Sequence, residues 1–425
     1  MTDGVAHDAK LGLPGGLYAS RLQRLVDFVN ADIAAGAIPG AVIWISRHGD
    51  TACFEALGFA ERTAQRPMQR DSIFRIASMT KPVTSVAAMM LQESGALLLG
   101  DPVSRYLPEL RNPQVGVEYI DTEGGQRRLR LEPARRPISI QDLLRHTAGF
   151  TYGNFGDSLV QRKYRLAEVM DPFQSNEQML AKLAALPLAY QPGTTFEYGM
   201  STDVLGRLVE VVAGMPLDEF IATRITTPLG MPDTMFTLDP ARKLRVAMPQ
   251  RAPRSPPAPA AAPAATPAAD APEVTHADAA RRWPSGGGGL LSTAGDYARF
   301  CRMLLNGGEL DGVRLLSRKS VELMTHNHLP PGVAFGEHTA ELGHGAPLPQ
   351  FGQGYGLGFG VRMQAGLAPT PGSAGDFYWA GITGPSFWID PVEKLIVVFM
   401  LQEFDIERRA RYRALLRALI YAALP

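Results

Sequence analysis

Residues Phe74 to Gly95 read FRIASMTKPVTSVAAMMLQESG. From Val83 onward the apolar positions Val83, Val86, Ala87, Met90 and Leu91 recur at helical spacing, Ala88 and Met89 carry the apolar surface to other faces, and Gly95 supplies a stop. The pattern predicts a helix buried on most sides. Pro82 belongs in its first turn, where backbone N–H groups have no intrahelical partner for a proline to remove. Ser78 therefore stands at the helix start, beside the positive end of the dipole, and Lys81, one turn on, returns to the same face. A hydroxyl and an amine held this way can serve as nucleophile and base if the amine is neutral, a state favoured by burial and by nearby positive potential. The same residues also suit a capping serine followed by a surface lysine. The apolar helix that follows argues against a surface setting.

Working outward, the chain begins helix, strand, strand. Leu22, Leu25, Val26, Val29 and Ile33 make an amphipathic helix that stops at Gly36, and Pro39 and Gly40 open the turn. Ala41 to Ser46 and Thr51 to Ala60 read as the two strands of a hairpin, with Arg47 to Asp50 between them. The other end mirrors this. Asp376 to Gly381, Ser386 to Asp390 and Leu395 to Leu401 read as three strands joined by tight turns, and Ile406 to Ala423 as a closing helix. Both termini are therefore expected in one antiparallel sheet flanked by N- and C-terminal helices. This α+β arrangement assigns 1–75 and 290–425 to a discontinuous α/β domain and 76–289 to an inserted, mainly helical domain. Ser78 falls at their junction, where clefts usually lie.

Within the middle, Asp101-Pro102 restarts a helix, and Arg111 to Arg136 reads as a charged surface excursion without periodicity. Ser139 with Asp142 forms a capping box for a short helix ending at His146-Thr147-Ala148-Gly149. His146 reads as a loop-tying histidine, since no carboxylate is spaced to orient it as a base. Glu177 to Leu186 is helical, and Pro192-Gly193 a turn. Tyr198 then lies on a short loop before a helix whose stripe is Val204, Leu205, Leu208, Val209 and Val212, with Ser201 as its expected N-cap. Arg251 to Pro272, RAPRSPPAPAAAPAATPAADAP, lacks the large apolar residues a core requires and reads as an extended insertion. The glycines from Ser285 to Gly289 predict close backbone packing; no Lys-Ser/Thr follows to make them a phosphate loop.

Composition narrows the function. Lys plus Arg and Asp plus Glu both number 42 among 425 residues, and the resulting zero net charge argues against nucleic acid or an anionic membrane as partner. Two cysteines, Cys53 and Cys301, cannot make a disulfide framework, and neither has a neighbour at metal-ligand spacing. No metal or cofactor is expected. The first residues lack a basic start followed by an apolar run, no stretch is apolar enough to span a membrane, and the default location is the cytoplasm.

Ser78 with Lys81, Tyr198 on its loop, and Trp379-Ala380-Gly381 on what reads as an edge strand recur in the order and separation of three motifs: Ser-x-x-Lys, a Tyr-x-Asn or Ser-x-Asn loop, and Lys-Thr-Gly. The chain resembles the penicillin-recognising serine hydrolases over nearly its whole length. The His146 to Gly149 loop, Asp203-Val204-Leu205-Gly206 after Tyr198, and Ser386 to Pro391 look like the class C β-lactamase branch. Two departures stand out. Met200 replaces the asparagine, and Trp379 replaces the lysine, so the groups that hold the carboxylate and amide of a β-lactam are gone. A tryptophan offers an apolar wall instead, and the Trp-x-Gly strand resembles that of the family VIII carboxylesterases. Gly-x-Ser-x-Gly occurs nowhere; Gly199 to Asp203 fails at its last position.

The resemblance implies a β-lactamase/transpeptidase-like fold and a serine carboxylesterase acting on short-chain esters through an acyl-enzyme. It implies that Ser78 attacks, that Lys81 and Tyr198 share the proton, and that the backbone N–H groups of Ser78 and Ile382 hold the oxyanion. Gly381, Trp379, Tyr152, the loop between Pro330 and Phe351 and the proline-rich insertion would shape the pocket for a small-molecule ester. A β-lactamase, a D-amino-acid peptidase or an acyltransferase of the same fold are the alternatives, with a noncatalytic ligand binder behind them. Oligomeric state is not legible.

Overall fold

A computed structural model describes residues 12–122, 124–249, 283–342 and 346–425. The proline- and alanine-rich segment 251–272 lies outside them. Eight strands form one antiparallel sheet in the order Gln353–Tyr355, Gly360–Arg362, Phe377–Ala380, Ser386–Asp390, Leu395–Leu401, Gly40–Arg47, Asp50–Glu61, Arg66–Pro67. The seam between the two ends of the chain is central. Leu395–Leu401 pairs with Gly40–Arg47 from Arg47 opposite Leu395 to Ala41 opposite Leu401.

The alternation of side chains at this seam explains why LIVVFML is apolar throughout. Leu395, Val397, Phe399 and Leu401 pack with Leu22, Leu25, Val29, Tyr412, Leu416 and Ile420 of the two terminal helices, Ala19–Ala34 and Ile406–Tyr421. Ile396, Val398 and Met400 face the opposite way, into the larger core shared with the helical region. A strand covered on both faces gains from apolar residues at every position, roughly 25 cal/mol for each Å² removed from water.

The helix Thr80–Glu93 is the axle of that larger core, with Thr80 through Met89 and Leu91 all buried. A single 3₁₀ turn, Ala77–Met79, leads into it, so Ser78 precedes the regular helix, and Pro82 stands in its first turn. The helix Ser201–Ala213 packs beside it. Between them runs the glycine segment, close enough that a Cβ on Gly286 would stand 2.7 Å from the Thr202 carbonyl oxygen and 3.1 Å from Thr84 Cγ2.

Four local readings are corrected. Residues 111–136 contain a β-hairpin, Gln114–Ile120 paired with Arg127–Pro133. Ser201 is not a cap: it lies inside its helix, Met200 holds the cap position without a side-chain bond, and Ser201 Oγ is buried without a partner among the described residues. The restart at Asp101-Pro102 yields only the 3₁₀ turn Val103–Arg105. Finally, Phe377–Ala380 is not an edge strand, because Gln353–Tyr355 and Gly360–Arg362 lie outside it. Gly360 and Val361 pair only with Tyr378 and Phe377, however, so Trp379 and Ala380 run past their outer neighbour. The capping box at Ser139 and Asp142 is present, and the Asp142 carboxylate also receives Arg136, Arg145 and Thr147. Burial opposes that charge, yet these donors hold the carboxyl down to about 2, which anchors the start of the His146 loop.

Candidate active site

The Ser78 segment is held in an unusual backbone conformation. Ala77, immediately before Ser78, has φ 44°, in the left-handed region that L residues seldom occupy. Gly381 lies against it: a Cβ there would stand 2.5 Å from the Ile76 carbonyl oxygen and 3.4 Å from Ala77 Cβ. Only a glycine lets the Trp379 strand approach this closely. The turn that follows is tied to the same segment by Thr383, whose hydroxyl donates to the Arg75 carbonyl at 2.7 Å. Ile382, in that turn, is exposed, and its N–H has no acceptor among the described residues.

Lys81 is completely buried. Its Nζ donates to Ser78 Oγ at 3.2 Å, to the Tyr152 hydroxyl at 3.1 Å and to the Gly287 carbonyl at 2.7 Å. Three acceptors match the three protons of an ammonium. Burial by itself would push the amine down, but Tyr152, Tyr198 and the Asp203 carboxylate outweigh it and hold Lys81 above its ordinary value. The expectation of a neutral amine sustained by nearby positive potential is thereby corrected. The buried neighbours include a carboxylate and phenols.

Tyr198 stands over this amine, with Lys81 Nζ 4.6 Å from the ring centroid. No direct hydrogen bond joins the Tyr198 hydroxyl to Ser78 Oγ among the described residues. Trp379 donates its indole N–H to that hydroxyl at 3.2 Å, and the two rings lie 5.4 Å apart. At 5 % exposure Trp379 is a buried partner of Tyr198, more than the open apolar wall expected of it. Tyr152, equally enclosed, meets Tyr198 edge-on at 5.8 Å. Ser78, Lys81, Tyr198, Tyr152 and Trp379 thus converge, and Gly381 and the turn after it border the segment that leads into Ser78.

The Beta-lactamase family profile matches residues 25–422. The chain belongs to the beta-lactamase family. It is 38 % identical over 372 residues to protein Rv1367c of Mycobacterium tuberculosis, covering 87 % of this chain and 86 % of the relative. Esterase EstB of Burkholderia gladioli is 29 % identical over 408 residues, 94 % of each chain. Among solved structures, "EstCE1, a hydrolase with promiscuous acyltransferase activity" superposes with a TM-score of 0.73 at 28 % identity, covering 95 % of this chain and 99 % of that one.

Several groups at this beta-lactamase-family site escaped the sequence reading. Asp203 is buried at the start of the Ser201–Ala213 helix and accepts the Gly287 N–H at 3.0 Å and the Ser285 hydroxyl. The Gly287 residue therefore links Asp203, through its N–H, to Lys81, through its carbonyl. Burial lifts the Asp203 carboxyl, opposed by the Lys81 charge and these donors. Thr84 Oγ1 to the Gly286 carbonyl at 2.8 Å and Leu290 N–H to Thr80 Oγ1 at 3.1 Å fasten the same glycine segment to the nucleophile helix. His146 also belongs to the surroundings: its ring packs 4.9 Å from that of Tyr198, and Nε2 lies 3.3 Å from Thr202 Oγ1. Burial and the Lys81 charge hold it well below the ordinary imidazole value, so it is a neutral packing group. The sequence marked Asp203 as part of the Asp203 to Gly206 resemblance and as an acid at the first turn of an otherwise apolar helix, without a role at the site. Nothing in the sequence pointed to its partner 84 residues away.

Among the described residues no group of three or more His, Cys, Asp or Glu is arranged to hold a metal, and no helix is long and apolar enough to cross a membrane.

Proposed function

We propose that this protein is a serine carboxylesterase, of the family VIII type, hydrolysing small esters through an acyl-enzyme on Ser78. The observation that carries the reading is the buried Lys81 ammonium donating to Ser78 Oγ beneath Tyr198, with an indole where a carboxylate-binding lysine would stand. In the proposed sequence the reactive form carries Lys81 as ammonium and Tyr198 as phenolate; Ser78 Oγ bonds to the ester carbonyl carbon while its proton passes to the phenolate oxygen, leaving a neutral phenol. The Trp379 N–H donates to that oxygen and the Lys81 amine lies 4.6 Å from its ring, a setting suited to an oxygen that carries negative charge before the transfer and again after it returns the proton. The N–H groups of Ser78 and Ile382 receive the oxyanion. As the tetrahedral adduct collapses, the carbon–alkoxide bond breaks and Tyr198 returns the proton to the departing alcohol. Water then repeats the attack on the acyl-enzyme and releases the acid and the serine.

Similarity to EstB supports an ester as substrate, and similarity to EstCE1 supports acyl transfer to an added alcohol as a secondary outcome. Purified protein given p-nitrophenyl butyrate and nitrocefin in parallel is the test. Faster ester turnover, with a phosphonate probe attached at Ser78 by mass spectrometry and no turnover by Ser78→Ala, supports the proposal. Faster lactam turnover, or a folded Ser78→Ala variant of undiminished activity, refutes it.

A further inference from the structure

His338 borders this site, the proposed chemistry leaves it unused, and its surroundings are built. It lies on the short helix Glu337–Glu341, within the segment that the sequence marks as pocket-shaping. The segment is fastened to the Tyr198 loop. Thr339 Oγ1 accepts the Tyr198 backbone N–H at 2.8 Å and donates to the buried Glu197 carboxylate at 3.1 Å, and Gly336 N–H donates to the Phe196 carbonyl at 3.0 Å. Glu337 N–H reaches the Tyr190 hydroxyl at 3.0 Å. The backbone of His338 is therefore positioned by the loop that carries Tyr198.

The imidazole is 2 % exposed and stacks flat on Phe155, with centroids 4.4 Å apart and planes at 13°. Its other ring neighbours are Tyr152 at 5.9 Å, edge-on, and Tyr198 at 6.3 Å. Neither ring nitrogen makes a hydrogen bond among the described residues, and Nδ1 is wholly buried. Buried polar atoms in folded proteins are rarely left without a partner, and the exceptions call for a functional account. Burial and the Lys81 charge hold the imidazole down to about 4, so near neutrality it is uncharged, with one donor and one acceptor nitrogen. A neutral imidazole in an aromatic enclosure beside the two site phenols lacks one thing, a polar atom to bond.

Resting on the esterase reading of Ser78, we propose that His338 is a specificity-determining residue that hydrogen-bonds a hydroxyl or carbonyl carried by the substrate within a few bonds of the ester, so that polar short-chain esters are preferred over plain ones. The polar atom can belong to the acyl or to the alcohol half. Two substrate pairs separate these cases: ethyl 3-hydroxybutyrate against ethyl butyrate, and 2-hydroxyethyl butyrate against propyl butyrate.

The readout is the ratio of kcat/KM for the hydroxylated over the plain ester, measured in wild type, His338→Phe and His338→Gln. Phenylalanine keeps the stack on Phe155 and removes both nitrogens; glutamine keeps a donor and an acceptor. In one pair the wild-type ratio is expected to fall about tenfold in His338→Phe, the scale of one neutral hydrogen bond, and to be substantially retained in His338→Gln. The pair that responds names the half that carries the polar atom. Ratios unchanged by His338→Phe in both pairs, or lowered equally by both variants, overturn the proposal. Failure of wild type to turn over any of the four esters, or to be labelled at Ser78 by the phosphonate, would instead strike the esterase reading beneath it.

Discussion

Replacing Tyr198 by phenylalanine deletes one oxygen and leaves the ring, so its consequences can be worked out in two separate quantities. The ring keeps its contacts with His146, Tyr152 and Trp379, at centroid separations of 4.9, 5.8 and 5.4 Å, and the core around it keeps its volume. The stability cost comes from the Trp379 indole N–H, which is buried and loses its acceptor, about 1–3 kcal/mol. The catalytic cost is larger. A positioned acid–base group contributes about 10²- to 10⁴-fold, or roughly 3–5 kcal/mol of transition-state stabilisation. The kcat/KM for p-nitrophenyl butyrate should therefore fall at least a hundredfold, while the urea midpoint falls modestly and the cooperative transition persists. Trp379→Phe provides the control. It removes the same hydrogen bond from the other side and keeps the phenol, so it should lower turnover much less than Tyr198→Phe does. A folded Tyr198→Phe protein within tenfold of wild type would refute the assignment of proton transfer to this oxygen, and equal losses in the two variants would reduce Tyr198 to a partner of the tryptophan.

Three further outcomes are expected. Gly381→Ala forces a Cβ to 2.5 Å from the Ile76 carbonyl, so the strand must back away from the nucleophile; phosphonate labelling of Ser78 should slow at least tenfold in a variant that still melts cooperatively. Ser201→Ala removes a buried hydroxyl that has no partner among the described residues, and its turnover should match wild type while stability stays level or rises by up to about 1 kcal/mol in urea titrations. The third concerns pH. Burial, aided by the Lys81 charge, holds the His338 imidazole at about 4 in the folded protein against 6.5 for the free group, so the unfolded chain takes up its proton first as pH falls. Its contribution to stability is whole above pH 6.5 and is lost progressively towards pH 4, about 3 kcal/mol in all. Asp296, pushed up to about 6 by burial, works in the opposite direction, losing stability as pH rises from 3.8 to 6. Comparing wild type with His338→Phe by urea unfolding at pH 7 and pH 4 isolates the histidine, and equal pH dependence in the two proteins would contradict its burial as a neutral group.

The parts of this fold that were legible in the sequence are those whose burial writes a period into the chain. The nucleophile helix, the five strands around the central seam and the two terminal helices each bury a face or both, and their apolar positions follow from that. The hairpin Gln114–Ile120 with Arg127–Pro133 was missed for the complementary reason. Its second strand is exposed or half-exposed along its length and carries Arg127, Arg128 and Arg130, with Arg127 bound to Glu118 across the pair, so no hydrophobic alternation marks it. The edge position assigned to the Trp379 strand failed because its outer neighbours contribute only three residues each, too few to show a pattern.

The site divides along the same line. Ser78 and Lys81 are three residues apart, and helical geometry brings them together whatever the rest of the chain does. Tyr198, Trp379 and Gly381 were readable through a family resemblance, since no local rule relates them to Ser78. The charge state of Lys81 was not readable by either route. It depends on which groups converge from afar, and those are the Gly287 carbonyl, 206 residues from the lysine, and Asp203, which accepts the N–H of the same glycine. A helix start beside a cation suggests a depressed amine, whereas a helix start beside a buried carboxylate and two phenols holds its proton. The same Ser-x-x-Lys spacing is compatible with both, so the setting of the lysine is a property of the tertiary fold. The glycines at 286 and 287 let their segment run between two helices, and that close approach is what brings a carbonyl to the lysine and an N–H to the carboxylate.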